Sequence, residues 1–341
     1  MQRIPHCRVI AACDREVLMA RQLCERYEIP RSFGDVTEMI GQCCPDVVHI
    51  TTPPESHLPI AKLCLNLGCH VYVEKPFTLN LPEAEELISL AEQKGRKVTV
   101  GHNLQFSPVA RRMRRLVREG GLGGAPLHME SYYCYNLANP EYAKVVLADK
   151  EHWVRRLPGK LLHNIISHGI ARIAEFLTGD TSQVFAHAFS SPLLRSMGED
   201  DILDELRVII SEDRRTTAYF TFSSQMRPSL NHFRIYGPKS GLFFDEDEQS
   251  LIQLRGKRFK SYAEKFLPPL VLAKQHVGNL LTNARFFLAN DFHMNSGMKH
   301  LIESFHQSIL DNTPAPIPYR EILLTARIMD SIFEQIGAKR Q

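Results

Sequence analysis

A chain of 341 residues, 44% hydrophobic and 23% charged, has ample apolar surface for a buried core and length enough for two domains. Its formal charge of +3 is small and its acids are interspersed with its bases, which excludes a composition built for nucleic acid or another polyanion. No apolar run reaches the ~20 residues that span a bilayer, and Met1-Gln2-Arg3-Ile4-Pro5 lacks the layout of a signal peptide, so a cytoplasmic protein without stable membrane insertion is expected.

The first run, Cys7 to Asp14, is short, apolar and closed by an acid, as expected of a strand covered on both faces, and Arg15 to Tyr27 follows as a helix. Pro45 precedes a second run, DVVHITT, which Pro53-Pro54 breaks before the helical stretch Ser56 to Leu67. Gly68 sits where a helix C-cap belongs, and HVYVEKP follows as a third strand. A helix from about Leu81 to Lys94 leads to KVTVGHN, a fourth. Strand and helix alternate here with short connections, the pattern of a parallel doubly wound sheet.

Past Gly124 the strands follow one another directly: LHMESYYCY, QVFAHAF, ELRVIIS, TTAYFTFS, NHFRIYG and SGLFFDE. Six such runs with tight turns predict a mostly antiparallel, open-faced sheet, interrupted by a helix from about Lys160 to Leu177. Helices are also predicted for Gly297 to Leu310 and Tyr319 to Ile336, packing back onto the body. The segment Lys265 to Phe292 mixes apolar faces with scattered cations and allows two readings, ordinary packing or an interfacial amphipathic helix, of which packing is preferred. The expected fold is α/β: a Rossmann-type doubly wound sheet in residues 1–123, truncated at its N-terminus, and an α+β substrate and oligomerisation domain in residues 124–341, whose final helix can return to the first.

The truncation is inferred from the phosphate site. A dinucleotide pyrophosphate needs a strand, a glycine-rich turn and a helix N-terminus. The one glycine cluster, Gly120-Gly121-Leu122-Gly123-Gly124, follows a helix and precedes a strand, so it reads as a domain-junction turn. Asp14 nevertheless closes the first visible strand, where a ribose-binding acid would close the second strand of a complete fold; as a plain helix N-cap it is equally well explained. The simplest account places the first strand, turn and helix, on the order of 25 to 30 residues, upstream of this sequence. Arg15 beside the acid could accept a 2′-phosphate, leaving NAD and NADP both open.

Cys7 to about Tyr133 resembles the Gfo/Idh/MocA oxidoreductases, the family of glucose-fructose oxidoreductase and inositol dehydrogenase. The resemblance is carried by Asp14, by Thr52-Pro53 with His57, by Glu74-Lys75-Pro76, and by Gly101-His102-Asn103 leading to Phe106 and Pro108. The segment Pro158 to His168 is similar to the family's second motif, a glycine turn into a helix bearing an acid and a histidine four residues apart. The resemblance implies a hydride transfer between a nicotinamide cofactor and a sugar, cyclitol or nucleotide sugar. Cofactor contacts would then come from Asp14, Arg15, Thr52, Pro53, His57, Glu74, Lys75 and Asn103. It also implies that the bond before Pro76 is cis and that Lys75 reaches both ribose and substrate. His168 would serve as the proton acceptor, a role that wants a pKa near neutrality. Asn164, one helical turn before it, would hold a neighbouring hydroxyl.

The sequence departs from the family where Asn164 replaces an acid, Gln105 an arginine, Lys160 a second glycine and Ile166 a later one. Trp153, Arg155 and Arg156 precede the second motif and read equally as a substrate-phosphate surface or as an edge aromatic with exposed arginines. The arginines at 111, 112, 114, 115 and 118 read first as a solvated helix face. All eight cysteines lie between Cys7 and Cys134 without the spacing of a zinc site or disulfide framework, and no metal site is expected. A homodimer or homotetramer is expected from the family. The competing readings are a non-catalytic sugar-sensing regulator of the same fold and an inactive fragment.

Overall fold

The computed structural model describes residues 4, 6–134, 149–212, 215–256, 262–293 and 295–338. Of Met1 to Pro5, only Ile4 lies among them, and the end of the run LHMESYYCY, Tyr135, falls outside. The chain divides into two compact units, Met1–Gly101 with Lys299–Leu323, and His102–Met298 with Leu324–Gln341.

In the first unit β1 (Ala12–Cys13), α1 (Val17–Tyr27), β2 (Ser32–Phe33), α2 (Val36–Cys43), β3 (Val47–Ile50), α3 (His57–Asn66), β4 (His70–Val73), α4 (Leu81–Gln93) and β5 (Val98–Val100) alternate as the sequence predicts. All strand pairs are parallel, in two sheets: β1–β2 and β3–β4–β5. The alternation builds a layered core, with Val71, Val73, Val98 and Val100 buried among Ala61, Leu65 and Leu87. The helix ends follow their capping chemistry. The Asn80 side chain accepts from Glu83 N while Glu83 accepts from Leu79 N, a reciprocal capping arrangement, and Asp35 caps α2. Gly68 ends the α3 turn at φ +86°, the left-handed conformation a C-cap glycine supplies.

The first strand differs from expectation. Cys7 to Asp14 contributes only two ladder residues, and these are half-buried, because β2 is the single strand beside it and is itself two residues long. The C-terminal segment completes this unit: α10 (Ser296–Leu310) lays Phe305 beside Tyr72, and Lys97 donates to the carbonyls of Ser308 and Thr313. His306 faces His49 at 3.2 Å between Nε2 atoms.

The second unit holds a seven-stranded sheet of order β12-β11-β10-β6-β9-β8-β7. Its strands are β6 (His128–Tyr133), β7 (Gln183–Phe189), β8 (Glu205–Glu212), β9 (Thr216–Ser223), β10 (Asn231–Tyr236), β11 (Ser240–Asp245) and β12 (Ser250–Arg255). Only β6–β9 is parallel among them. The six predicted runs are all present, and the seventh, SLIQLR, was not anticipated. The glycine cluster Gly120 to Gly124 forms the turn between α5 (Pro108–Arg118) and β6, inside this unit, with positive φ at Gly120, Gly123 and Gly124.

The predicted single helix from Lys160 is two, α6 (Lys160–Ile165) and α7 (Ser167–Ala174), separated by Ile166, and a short α8 (Pro192–Ser196) follows β7. Ile166 keeps helical dihedrals of φ −73° and ψ −14°, so the direction carries through. α7 buries Ile170 and Ile173 in the same core as Phe220 and Phe222 of β9. Gly169 permits that approach: an ideal Cβ there would have three ring atoms of Phe220 at or within 3.1 Å. Gly169→Ala is therefore expected to lower stability by about 1–3 kcal/mol through overpacking, seen as an earlier thermal transition, whereas Gly337→Ala, with open space around it, should be neutral.

Both outer strands of this sheet are met by side-chain amides. On β7, Gln335 of α11 (Tyr319–Ala338) accepts from Ala186 N at 3.0 Å and donates to Val184 O at 2.6 Å. On β12, Gln275 and Asn279 of α9 (Ala263–Leu288) each accept from and donate to the strand, at Gln253 and Leu251 respectively, and Asn283 donates to Glu248 O just before it.

Candidate functional site

The carboxyl ends of β3, β4 and β5 lie side by side, because Glu74 N donates to Ile50 O and Gly101 N to Val73 O, carrying the ladder one residue past each strand. Thr52, Glu74-Lys75-Pro76 and Gly101 thereby share one edge, the position at which open parallel sheets bind ligands. The Lys75–Pro76 bond is cis.

His57 ties this edge together. It is wholly buried, with Nε2 2.8 Å from Thr52 O and Nδ1 3.0 and 3.3 Å from the carbonyls of Pro76 and Phe77. Carbonyls only accept, so satisfying both sides takes a proton on each ring nitrogen. Burial pushes the pKa down against that charged form, while the three carbonyls oppose the shift. In either state the ring links the end of β3 to the loop that carries Lys75, so His57 positions rather than reacts.

Glu74 folds back over the strand end and accepts from Lys75 N at 3.2 Å. Gly101 makes room for it, since a Cβ there would come within 2.9 Å of Glu74 Oε2 and 3.1 Å of the Tyr72 hydroxyl. Burial pushes the Glu74 carboxyl up and the Lys75 ammonium down, and each charge partly restores the other. The result is a lysine held near an acid in a desolvated loop, suited to polarising an oxygen.

Asp14 lies past β1 with one carboxylate oxygen accepting from Glu16 N at 2.9 Å, and Arg15 beside it is exposed. Thr52 Oγ1 is 2.6 Å from Ser56 Oγ, in the turn Pro53 opens. Thr52 and Lys75 thus stand at the ends of neighbouring strands of one sheet, while Asp14 follows a strand of the other.

In the second unit His168 is 8% exposed, its ring edge-on to His102 and to Tyr133 at 5.8 Å each. Sequence reasoning named His102 within Gly101-His102-Asn103 without giving it a role, and Tyr133 was seen only as a strand residue. Their signal is aromatic character next to a motif, too general to single out. Asn164 is half-buried in α6, one turn before His168 through the helical Ile166. Asn103 opens a 3-10 turn to Phe106, its carbonyl so near Gly297 that a side chain there would overlap it. Gln105, in that turn, donates to Glu175 Oε2 at 3.1 Å and to Ala171 O at 3.4 Å, anchoring the turn to α7.

The arginines ahead of the second motif are engaged within the fold. Arg155 is gripped by both oxygens of Glu199 at 2.9 and 3.0 Å, and Arg156 donates to Glu151 O. Trp153 is half-buried, packed against the core of the unit and tilted onto the ring of His152 with centroids 5.4 Å apart. The basic helix α5 is likewise more than a solvated face: Arg111 pairs with Asp291, Arg112 donates to Asn279, and Arg114 pairs with Glu175. None of these contacts is readable from local sequence, because every partner lies at least 44 residues away except Glu151.

Residues 1–102 match the model of an oxidoreductase family with an NAD-binding Rossmann fold. An uncharacterized oxidoreductase of Escherichia coli, YdgJ, is 40% identical over 88 residues, 26% of this chain and 25% of that protein. The UDP-N-acetylglucosamine 3-dehydrogenase of Acidithiobacillus ferrooxidans is 32% identical over 101 residues, 30% of each chain. Its solved structure superposes on 97% of this chain and 90% of its own with a TM-score of 0.72 at 18% identity. An Agrobacterium radiobacter oxidoreductase in complex with NAD+, L-tartaric acid and magnesium superposes on 99% of this chain and 92% of its own, with a TM-score of 0.75 at 13% identity. In sequence, the matches to these two curated relatives span 25% and 30% of their length.

Proposed function

We propose that this chain, whose residues 1–102 match the oxidoreductase family model, is a Gfo/Idh/MocA-type NAD(P)-dependent oxidoreductase acting on a hydroxyl or carbonyl of a sugar, cyclitol or nucleotide sugar. The observation that carries the reading is Glu74-Lys75-Pro76 at the carboxyl end of β4, tied down by His57 and backed by Gly101. A nicotinamide cofactor, when bound, supplies the hydride acceptor or donor. Asp14 accepts from ribose hydroxyls, and Thr52 offers a donor to the same ligand. Lys75 donates to the substrate oxygen, stabilising negative charge as the hydroxyl proton departs. His168 takes that proton in oxidation and returns it in reduction. Asn164 hydrogen-bonds an adjacent hydroxyl; being neutral, it lends no charge to a histidinium, so proton transfer relies on the ring itself.

A homodimer or homotetramer is supported by Phe185, Ile209 and Tyr219, paired across β7, β8 and β9 and exposed on the outer face of the sheet. A reducing, cytoplasmic setting is supported by eight cysteines that are all free. No helix among the described residues is long and apolar enough to cross a membrane.

Titrating the full chain with NAD(H) and NADP(H), followed by nicotinamide fluorescence, is expected to show saturable binding of at least one pair. Turnover should then appear with members of a panel of sugars, cyclitols and UDP-sugars. Absence of binding to any of the four forms overturns the assignment.

A further inference from the structure

Helix α9 is built the wrong way round for a helix packed on a protein core. Its hydrogen bonds to the sheet are made by amides, those of Gln275 and Asn279 to β12 and that of Asn283 to Glu248, two residues before the strand. Soluble helices bury the apolar stripe instead. Here the apolar residues face outward: Phe266, Leu270, Val277, Leu280 and Phe287 fall on one helical face, with exposures from 56% at Val277 to 70% at Phe266, and Leu288 reaches 81%. The helix runs 26 residues, about 39 Å at 1.5 Å per residue. So long an exposed apolar stripe marks an interaction surface.

The charges beside the stripe identify its partner. At 100° per residue, Lys274 and Arg285 lie along one border of the apolar face and Lys265 along the other, all exposed. Lys274 and Arg285 make no ion pair among the described residues. The one acid of the helix, Glu264, lies on the side turned to the protein. A second copy of this helix would set cations against cations whichever way it ran, since both borders carry the same sign. A surface of anionic headgroups meets both borders at once while the acyl region receives the stripe.

We propose that α9 lies in the interface of an anionic lipid bilayer, its apolar face in the acyl boundary and its lysine and arginine flanks among the phosphates. The helix binds along the surface and does not cross, and the amide ladder keeps it attached to the sheet while it does so.

Vesicle flotation of the full chain tests this. Binding is expected to vesicles of phosphatidylcholine with phosphatidylglycerol, at least about ten-fold stronger than to phosphatidylcholine alone and weakened by high salt. Leu270→Glu with Leu280→Glu should abolish it, and Lys274→Glu with Arg285→Glu should remove the preference for anionic lipid. Thermal melting and sedimentation of each variant, compared with the parent, report fold and association state. The comparison of the two vesicle types needs no variant. Equal or absent binding overturns the proposal. So does a change in association state on Leu270→Glu with Leu280→Glu when the parent ignores anionic vesicles, which assigns the face to contact between copies.

Discussion

Lys75→Ala is expected to lower kcat/KM by about 10³-fold, a loss of about 4 kcal/mol of transition-state stabilisation, while leaving the thermal transition within a few degrees of the parent. The lysine is half-buried beside Glu74, so its removal takes away the donor proposed to meet developing charge without opening a core cavity. Its pH dependence gives an independent check. Burial lowers the Lys75 pKa, with Glu74 opposing, so the ammonium is lost at a lower pH than that of a free lysine, whose pKa is about 10.4. If the charged form works, kcat/KM falls as pH rises through that depressed pKa. Lys75→Arg keeps a charge that does not titrate in the accessible range; it should be slower at neutral pH yet lose the alkaline limb. A parent profile flat to pH 10, or an alanine variant with unchanged kcat/KM, would refute the role of Lys75.

Arg172→Met is expected to be the most damaging substitution for stability. The guanidinium is 2% exposed and sits 2.8 Å from Glu246 and 2.9 Å from Asn231 Oδ1, with the rings of Tyr133 and Phe244 over it. Glu246 also accepts from Ser107 at 3.2 Å and is held at the end of β11. Removing the cation strands that carboxylate in a buried site, a loss of about 3–5 kcal/mol by the usual measure of a broken buried pair. For a unit of this size, a thermal transition lower by about 10 °C follows.

The pH sign separates this from simple cavity formation. Burial already raises the Glu246 pKa above its ordinary value, and without Arg172 it rises further. A carboxyl whose folded pKa exceeds its unfolded pKa holds more protons in the folded state, so stability is lost as pH rises through that window and regained below it. Arg172→Met should therefore recover part of its loss on acidification relative to the parent, and Arg172→Met with Glu246→Gln should recover it at neutral pH. A deficit independent of pH in the single variant would show that lost packing, not the stranded charge, sets the cost.

Much of the fold was legible because it is written in local pattern. The apolar runs at DVVHITT, HVYVEKP and KVTVGHN are strands wherever their sheet puts them, and Gly68 and Asn80 mark helix ends by chemistry that acts over three or four residues. Ser32–Phe33 escaped notice because two residues carry no periodicity. SLIQLR escaped because it follows an acidic turn and alternates weakly. The break at Ile166 is invisible in composition, since isoleucine neither caps nor interrupts a helix by preference. Within the candidate site, Glu74-Lys75-Pro76 could be singled out as a charged pair and a proline at a strand end, and His57 only through the family resemblance. The Arg155–Glu199 pair could not, because it depends on two segments meeting that have no common local signal. The outward-facing stripe of α9 is a related case: periodicity reveals that a helix has two faces and is silent about which one the rest of the chain will cover.

The amides on the two outer strands of the large sheet bear on how this protein avoids a hazard common to β structures. An open edge offers a row of unused donors and acceptors to any passing strand, and polymerisation through such edges is how sheets begin to grow into fibres. Here the rungs at Val184, Ala186, Leu251 and Gln253 are already taken by Gln335, Asn279 and Gln275 from helices of the same chain. At those rungs a newcomer must first displace a partner tethered in place, at very high local concentration. Backbone protons at Ala186, Leu251 and Gln253 should accordingly exchange with deuterium as slowly as those of inner strands. The sheet is terminated at both ends by glutamine and asparagine doing the work of an eighth and ninth strand.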